Sequence, residues 1–223
     1  TTRRAFARFS ISLTAALLLS PFAPLDAQEQ APPPAIELGL PFRDNAILQR
    51  EMPVPVWGWS KPGTEVTVTF ADQTKTAKAD AKGKWTVKLD PVPVNAKPAT
   101  ITIKGSSTRE LKNVLVGEVW VCSGQSNMGF NLGGTWDADL DIAQAKHPLI
   151  RLISVPQVGT QEIQNDFKGQ WEECSPANAG QFTAVGYHFG RVLHEILGVP
   201  VGLFTGLSTD FFGDMLRDGL KAS

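Results

Sequence analysis

Residues 117–128 read GEVWVCSGQSNM and separate two kinds of sequence pattern. Before this stretch, apolar and polar residues alternate in short runs between Gly and Pro turns, which is typical of antiparallel strands. After it, apolar runs alternate with segments of helical spacing, which predicts an α/β part with a parallel sheet. The stretch itself is an apolar strand that ends in small and polar residues around Ser126. It predicts a serine at a strand end, where the two parts of the fold meet.

Composition and charge exclude several classes of protein. Hydrophobic residues make up 42% of the 223-residue chain and charged residues 19%, so a packed core is expected and global disorder is not. The 21 basic and 22 acidic residues give a net charge of −1 without a basic run, so we expect neither a nucleic acid nor a membrane as partner. No metal-ligand cluster or cofactor motif occurs. Cys122 and Cys174 form either a disulfide or two buried thiols.

The first 35 residues predict export and a linker. Residues 1–27 combine a basic start, a short apolar run and a small-residue end at Ala27, which is the pattern of a signal peptide for the periplasm or the exterior. The apolar run is too short to cross a bilayer. Thr2–Phe6 also resembles a twin-arginine signal, and the choice between the two export routes stays open. Residues 28–35 are Pro-rich and predict an extended linker.

Residues 36–116 predict a β-sandwich of immunoglobulin-like architecture. Strand patterns recur about every 8–12 residues between Gly and Pro turns, as in such sandwiches. Trp57, Trp59 and Trp85 lie in these runs. They form either part of the core or an aromatic platform for a sugar.

Residues 117–223 predict the α/β part. Helices are expected over 136–146 and 181–197, and strands over 119–122, 149–155 and 201–205, with a short extended piece at 171–176. We expect helices to cover both faces of the first of these strands. The second helix carries one apolar stripe that is expected to face the core: Phe182, Val185, Phe189, Val192, Leu193 and Ile196. Gly186 and Gly190 would let this helix approach a sheet, and Gly198 would end it.

Ser126 is the candidate nucleophile. A serine at a sharp turn after a buried strand exposes its hydroxyl, and a turn or helix that begins there aims backbone N–H groups at a forming oxyanion. The pattern differs from the Gly-x-Ser-x-Gly elbow because position 128 is Met.

Residues 117–128 resemble the first block of the sialate O-acetylesterase-like branch of the SGNH/GDSL hydrolases. Leu48–Trp59 resembles the start of that family's N-terminal β-sandwich. Trp171–Pro176 and residues 182–203 resemble its helix and strand after the nucleophile. The likeness covers roughly residues 38–206.

The resemblance implies a sandwich followed by a three-layer SGNH-type domain that hydrolyses acetyl esters on a carbohydrate without a cofactor or a metal. Ser126 would form the acyl-enzyme, and its backbone N–H would bind the oxyanion. Gln125 and Asn127 would shape the site, although the Asn127 side chain would equally suit a hydrogen bond within the local turn.

The chain departs from the family pattern after residue 206. The family has Ser-x-x-Gly-Gly-Thr there, whereas residues 207–213 read LSTDFFG, and neither an Asn block nor an Asp-x-x-His pair follows before Ser223. None of His147, His188 and His194 has Asp three residues earlier, so we assign no general base.

The expected hydrolase part is therefore incomplete, since such a domain approaches ~200 residues. Residues 207–223 would be either a frameshifted tail or the front of a split gene. Whether the chain is an enzyme stays open. The alternatives are an impaired acetylesterase, a non-catalytic secreted carbohydrate-binding protein, and a fragment completed by a downstream polypeptide.

Overall fold

The computed structural model describes residues 35–124, 126–156 and 166–206, so the predicted signal peptide, nearly all of the predicted linker and residues 207–223 lie outside the described residues. The described part is mostly sheet with two α-helices. Its strands are β1 (Glu37–Leu38), β2 (Ile47–Gln49), β3 (Val54–Trp59), β4 (Glu65–Phe70), β5 (Gln73–Lys78), β6 (Lys84–Leu89), β7 (Asn95–Lys104), β8 (Thr108–Ser123), β9 (His147–Ser154), β10 (Glu172–Cys174) and β11 (Val201–Gly206). The α-helices are α1 (Ala138–Gln144) and α2 (Ala184–Leu197).

Two groups of strands enclose the hydrophobic core of the N-terminal region. Strands β1, β3 and β6 form one sheet, and β4, β5, β7 and the first half of β8 form the other. Residues alternate between buried and exposed along β4 and β6, because each strand turns one face to the core. Val56 and Trp85 from one sheet share a single apolar cluster with Val68 and Ile103 from the other.

The tryptophans of this region do not form a sugar platform together. Trp85 is 1% exposed and belongs to the core. Trp57 packs edge-on against Phe42, with ring centroids 4.8 Å apart, while Trp59 is half-buried. The core alternative is therefore correct for Trp85. Trp57 lies on the opposite face of β3 from the buried Val56 and is half-buried at the periphery of the cluster, against Phe42.

Strand β8 belongs to both halves of the larger sheet. Its first part pairs with β7 and, at Leu115–Gly117, in parallel with β2. From Glu118 to Ser123 it pairs in parallel with β11, which in turn lies parallel to β9, as the sequence predicts. Strand β10 lies at the end of this sheet and pairs antiparallel with β9. The predicted junction between residues 116 and 117 therefore lies inside one continuous strand.

Helix α2 packs through a different face from the one predicted. It begins after the Thr183 cap rather than at residue 181, and Gly198 ends it in the left-handed conformation with φ 64°, as predicted. Its buried residues are Ala184, Gly186, Tyr187 and Gly190. Of the predicted core stripe, Phe182 is buried and Leu193 half-buried, but four members are exposed: Val185, Phe189, Val192 and Ile196.

Glycine explains this choice of face. A Cβ on Gly190 would lie 2.4 Å from a methyl carbon of the buried Leu203, so a larger residue would require Leu203 or the helix to shift. The small face therefore meets the sheet and the large apolar side chains point away from it.

The faces of the parallel sheet also differ from the prediction. On one side, Trp120 of β8 stays 44% exposed beside α2. On the other side, Val119 and Val121 pack against Leu40, Ala46 and Trp171. In the described ranges, that second face is thus covered by the N-terminal segment and not by a helix.

The predicted first helix is shorter than expected, because α1 spans only Ala138–Gln144. His147 is the first residue of β9 and not part of a helix end. Trp136 precedes α1 and is 97% exposed.

Gly117 marks a close crossing of β8 and the turn at Pro200. The Glu118 N–H donates to the Pro200 carbonyl oxygen at 2.9 Å, and a Cβ on Gly117 would lie 2.0 Å from that same oxygen. A side chain at position 117 would push apart the strand that carries Ser126 and the turn that leads into β11.

We expect Gly117→Ala to lower the free energy of unfolding by at least about 2 kcal/mol, because a backbone oxygen cannot move away as a side chain can. Urea denaturation followed by tryptophan fluorescence measures this change. Gly124→Ala is the control, since its Cβ would meet only Met128 Cβ at 3.6 Å. It should change stability by less than about 0.5 kcal/mol. Equal stability of the two variants would contradict the crossing.

Candidate functional site

Ser126 lies in a turn just beyond the end of β8. The Gly129 N–H donates to the Ser126 carbonyl oxygen at 3.1 Å, and the Phe130 N–H donates to that of Asn127 at 3.3 Å. Ser126 and Asn127 are exposed, whereas Gln125 lies outside the described residues. Ligands of α/β sheets bind at the carboxyl ends of parallel strands, and Ser126 occupies this position.

The turn is tied to the start of α2. The Thr183 hydroxyl, which caps α2, lies 3.5 Å from the Met128 sulfur. The Ala184 N–H donates to the Phe130 carbonyl at 2.9 Å, and the Leu132 N–H donates to the Phe182 carbonyl at 2.9 Å. Leu132 is fully buried. The segment after Ser126 is thus anchored on both sides by backbone hydrogen bonds and by an apolar side chain.

Two residues from the N-terminal part hold the beginning of the serine block. Arg50 Nε lies 2.6 Å from Glu118 Oε1, and this hydrogen bond raises the pKa of Arg50. Gln49 Oε1 accepts from the Val119 N–H at 2.8 Å. The sequence places Gln49 and Arg50 in one family-like stretch and Glu118 in another. Nothing in one sequence shows that the two stretches touch.

The described histidines do not lie beside Ser126, and His147 is at the amino end of β9 with its buried Nε2 lacking a hydrogen-bond partner among the described residues. His147 is partly buried, and burial, with His194 and Arg191 nearby, lowers its pKa. His188 Nε2 lies 3.7 Å from Asp141 Oδ2, and His194 Nδ1 lies 2.6 Å from the Val199 carbonyl oxygen. Within the described residues, no side chain forms a hydrogen bond with the Ser126 hydroxyl. A serine without a base is a weak nucleophile, and the described residues place no base beside this hydroxyl.

Cys122 and Cys174 are both free thiols. They are buried in the cluster that α2 covers, and burial raises the pKa of each to about 11. At neutral pH both are protonated, and the protonated form does not attack electrophiles. Cys122 therefore packs beneath the serine turn and does not act as a nucleophile there.

Arg151 is a buried charge that the sequence analysis did not single out. It lies in the apolar strand β9 and is 2% exposed. Its guanidinium pairs with Glu173 and donates to Asn113 Oδ1 at 3.3 Å. A basic residue inside an apolar strand pattern could have predicted this ion pair, because a buried charge needs partners.

In the described ranges, no three His, Cys, Asp or Glu side chains are grouped so that they could hold a metal ion. No described helix has the length and apolarity needed to span a membrane.

Comparison with known proteins gives consistent matches. The chain is 30% identical over 183 residues to sialate O-acetylesterase of Homo sapiens, covering 73% of this chain and 35% of that protein. It is 28% identical over 191 residues to the same protein of Mus musculus, again covering 35% of it. A crystal structure of a carbohydrate acetylesterase from Xanthomonas citri aligns with TM-score 0.74 and 37% identity over 78% of this chain and 40% of that one. No family model matches the chain.

An exposed serine at the carboxyl end of a parallel strand, together with these matches, places the chain among proteins related to ester hydrolases. More narrowly, the chain is a relative of the sialate O-acetylesterases, in the SGNH hydrolase class, as the serine block predicts. It spans about a third of the length of the curated relatives it matches.

We expect both thiols of the folded chain to resist iodoacetamide at pH 8, because a pKa of about 11 leaves them protonated. After unfolding in urea without a reductant, two labelled cysteines per chain should be found by mass spectrometry. The unfolded sample is the control for reagent activity. Labelling of the unfolded chain only after reduction would instead indicate a disulfide.

Proposed function

We propose that this chain carries the serine-nucleophile part of a carbohydrate O-acetylesterase. The observation that supports this most directly is the exposed Ser126 turn at the end of β8, in a chain 37% identical to a carbohydrate acetylesterase over 78% of its length. The substrate is an acetyl ester on a sugar such as acetylated sialic acid or hemicellulose.

The reaction proceeds through an acyl-enzyme. Ser126 Oγ loses its proton to a base and attacks the acetyl carbonyl carbon. The ester C–O bond breaks, and the sugar leaves with a proton. Water then attacks the acetyl-serine and releases acetate and the free serine. The Ser126 backbone N–H binds the oxyanion, while Gln125 and Asn127 shape the site beside it.

In this proposal, three ranges of the chain have different roles. Residues 36–116 act as an N-terminal β-sandwich, and residues 117–223 as part of an α/β SGNH hydrolase domain. Residues 1–27 direct export to the periplasm or the exterior. The general base comes from a residue outside the described ranges, because His188 and His194 lie against Asp141 and the Val199 carbonyl and His147 lies at the amino end of β9, away from Ser126.

Non-catalytic carbohydrate binding is the second candidate. It is favoured by Trp136, which is 97% exposed in the segment that follows the Ser126 turn. An exposed indole face offers a surface on which a sugar ring can stack. Binding of a glycan that survives in Ser126→Ala and is lost in Trp136→Ala, with no ester hydrolysis by either protein, would favour this candidate.

We expect the purified chain to hydrolyse p-nitrophenyl acetate slowly and Ser126→Ala to lower the rate to that of buffer. A serine hydroxyl without a base is a weak nucleophile, so the Ser126-dependent rate is expected to exceed that of buffer only slightly. Initial rates by absorbance test this, with Asn127→Ala as a variant that keeps the nucleophile. If the chain and Ser126→Ala react equally, the chain alone is not an esterase.

A further inference from the structure

The Ser126 turn leads directly to an aromatic residue that is half exposed. Phe130 follows Ser126 by four residues and is 51% exposed. Two turns overlap between them, because the Gly129 N–H donates to the Ser126 carbonyl and the Phe130 N–H donates to the Asn127 carbonyl. Each such turn brings Cα atoms three residues apart to within about 7 Å. With one further step between neighbouring Cα atoms, the Cα of Phe130 lies within about 11 Å of that of Ser126.

Phe130 is fixed in place although it is exposed. Its carbonyl accepts from the Ala184 N–H at 2.9 Å, and the next residue, Asn131, forms an isolated antiparallel bridge with Thr183. The tip of its ring rests against Gly134, where a Cβ would lie 3.1 Å from Phe130 Cζ. A ring that is already positioned loses little freedom when a ligand binds to it, which favours affinity.

The chemistry of the proposed reaction brings a sugar close to this ring. In an acetyl ester of a sugar, the leaving oxygen is bonded both to the acetyl carbon and to the sugar. Ser126 Oγ approaches that carbon to about 3–3.5 Å before it attacks. The sugar therefore lies next to the side chains that neighbour the turn. In residues 124–134, which read GQSNMGFNLGG, Phe130 is the one aromatic residue.

The residues beside Phe130 complete a surface suited to a pyranose. An aromatic face packs against the C–H groups of a sugar ring, and a few polar groups beside it fix the orientation of the ligand. Asn127 and Asn131 are exposed as well, and their amides are able to donate to and accept from sugar hydroxyls.

We propose that Phe130 is a substrate-binding residue whose ring contacts the pyranose that carries the acetyl group. The ligand class is thus an O-acetylated pyranose. This inference rests on the proposed function, since the ester that Ser126 attacks is what places the sugar beside the ring.

Binding to a chain that cannot cleave the ester tests this contact. In the Ser126→Ala background, ligand-observed NMR titration gives the dissociation constants of two probes, a neutral O-acetylated xylo-oligosaccharide and an anionic O-acetylated sialic acid. We expect at least one probe to bind. Adding Phe130→Ala should raise its dissociation constant by about fivefold or more, because the apolar contact area is lost. Phe130→Leu keeps apolar bulk without a flat face and should also weaken binding.

Phe189→Ala is the matched control. Phe189 is 40% exposed on α2, and its ring contacts Trp120. Its removal should change the dissociation constant by less than about twofold. Circular dichroism shows whether each variant is folded, and Phe130→Leu gives the reading if Phe130→Ala is not.

Three results would overturn the proposal. The first is that neither probe binds to the Ser126→Ala chain. The second is an affinity that the folded Phe130 variants leave unchanged, including a case in which Trp136→Ala abolishes binding. The third is an equal loss of affinity in Phe189→Ala.

Hydrolysis separates this contact from the proposed function. Phe130-dependent binding by a chain without Ser126-dependent cleavage of p-nitrophenyl acetate supports the sugar contact and counts against the esterase. Ser126-dependent cleavage, with a probe affinity that is unchanged in Phe130→Ala, supports the esterase and overturns the contact.

Discussion

The fit of β8 against the Pro200 turn is the constraint on which the other parts of the structure depend. One strand of 16 residues runs from the hydrophobic core of the N-terminal region to the serine turn, so any shift at its middle moves both ends. At that middle, Gly117 passes the Pro200 carbonyl so closely that no side chain fits. Arg50 and Gln49 fix the next two residues by hydrogen bonds. The position of Ser126 is thereby set by contacts from both parts of the chain, and a rigid strand is a precise support for a catalytic group.

A well-positioned serine is only one component of hydrolysis. Its hydroxyl needs a base to become a strong nucleophile, and no described histidine lies beside it: His188 and His194 have other partners, and His147 is at the amino end of β9. The nearby Cys122 cannot substitute, because burial keeps its thiol protonated. Under the proposed function, two contributions act together in a complete site: the orientation of Ser126, which the described residues provide, and proton transfer, for which they place no group beside it. Groups that act as one unit lose most of their effect when one is missing.

Much of the fold could be predicted from local pattern, and the failures have a common cause. Alternation located the strands around Val68 and Trp85, and Gly198 and Pro200 correctly ended α2. The serine turn followed from small residues after an apolar strand. The core face of α2 was predicted wrongly, because periodicity finds the apolar stripe but not its partner. The face of α2 that contacts β11 is the one with small residues such as Gly190, because small residues allow close packing. A hydrophobic pattern does not contain information on this close packing. The Arg50–Glu118 pair joins distant stretches, which one sequence cannot connect.

The exposed stripe has an energetic consequence for the chain by itself. Full burial of one large apolar side chain contributes about 1.5–3 kcal/mol, so covering the exposed parts of five side chains would contribute roughly 4–7 kcal/mol: Trp120, Val185, Phe189, Val192 and Ile196. That amount is comparable to the entire stability of a typical domain. Any molecule that covered this surface would also have to offset its loss of freedom on association, so only one that covers most of the surface would bind firmly.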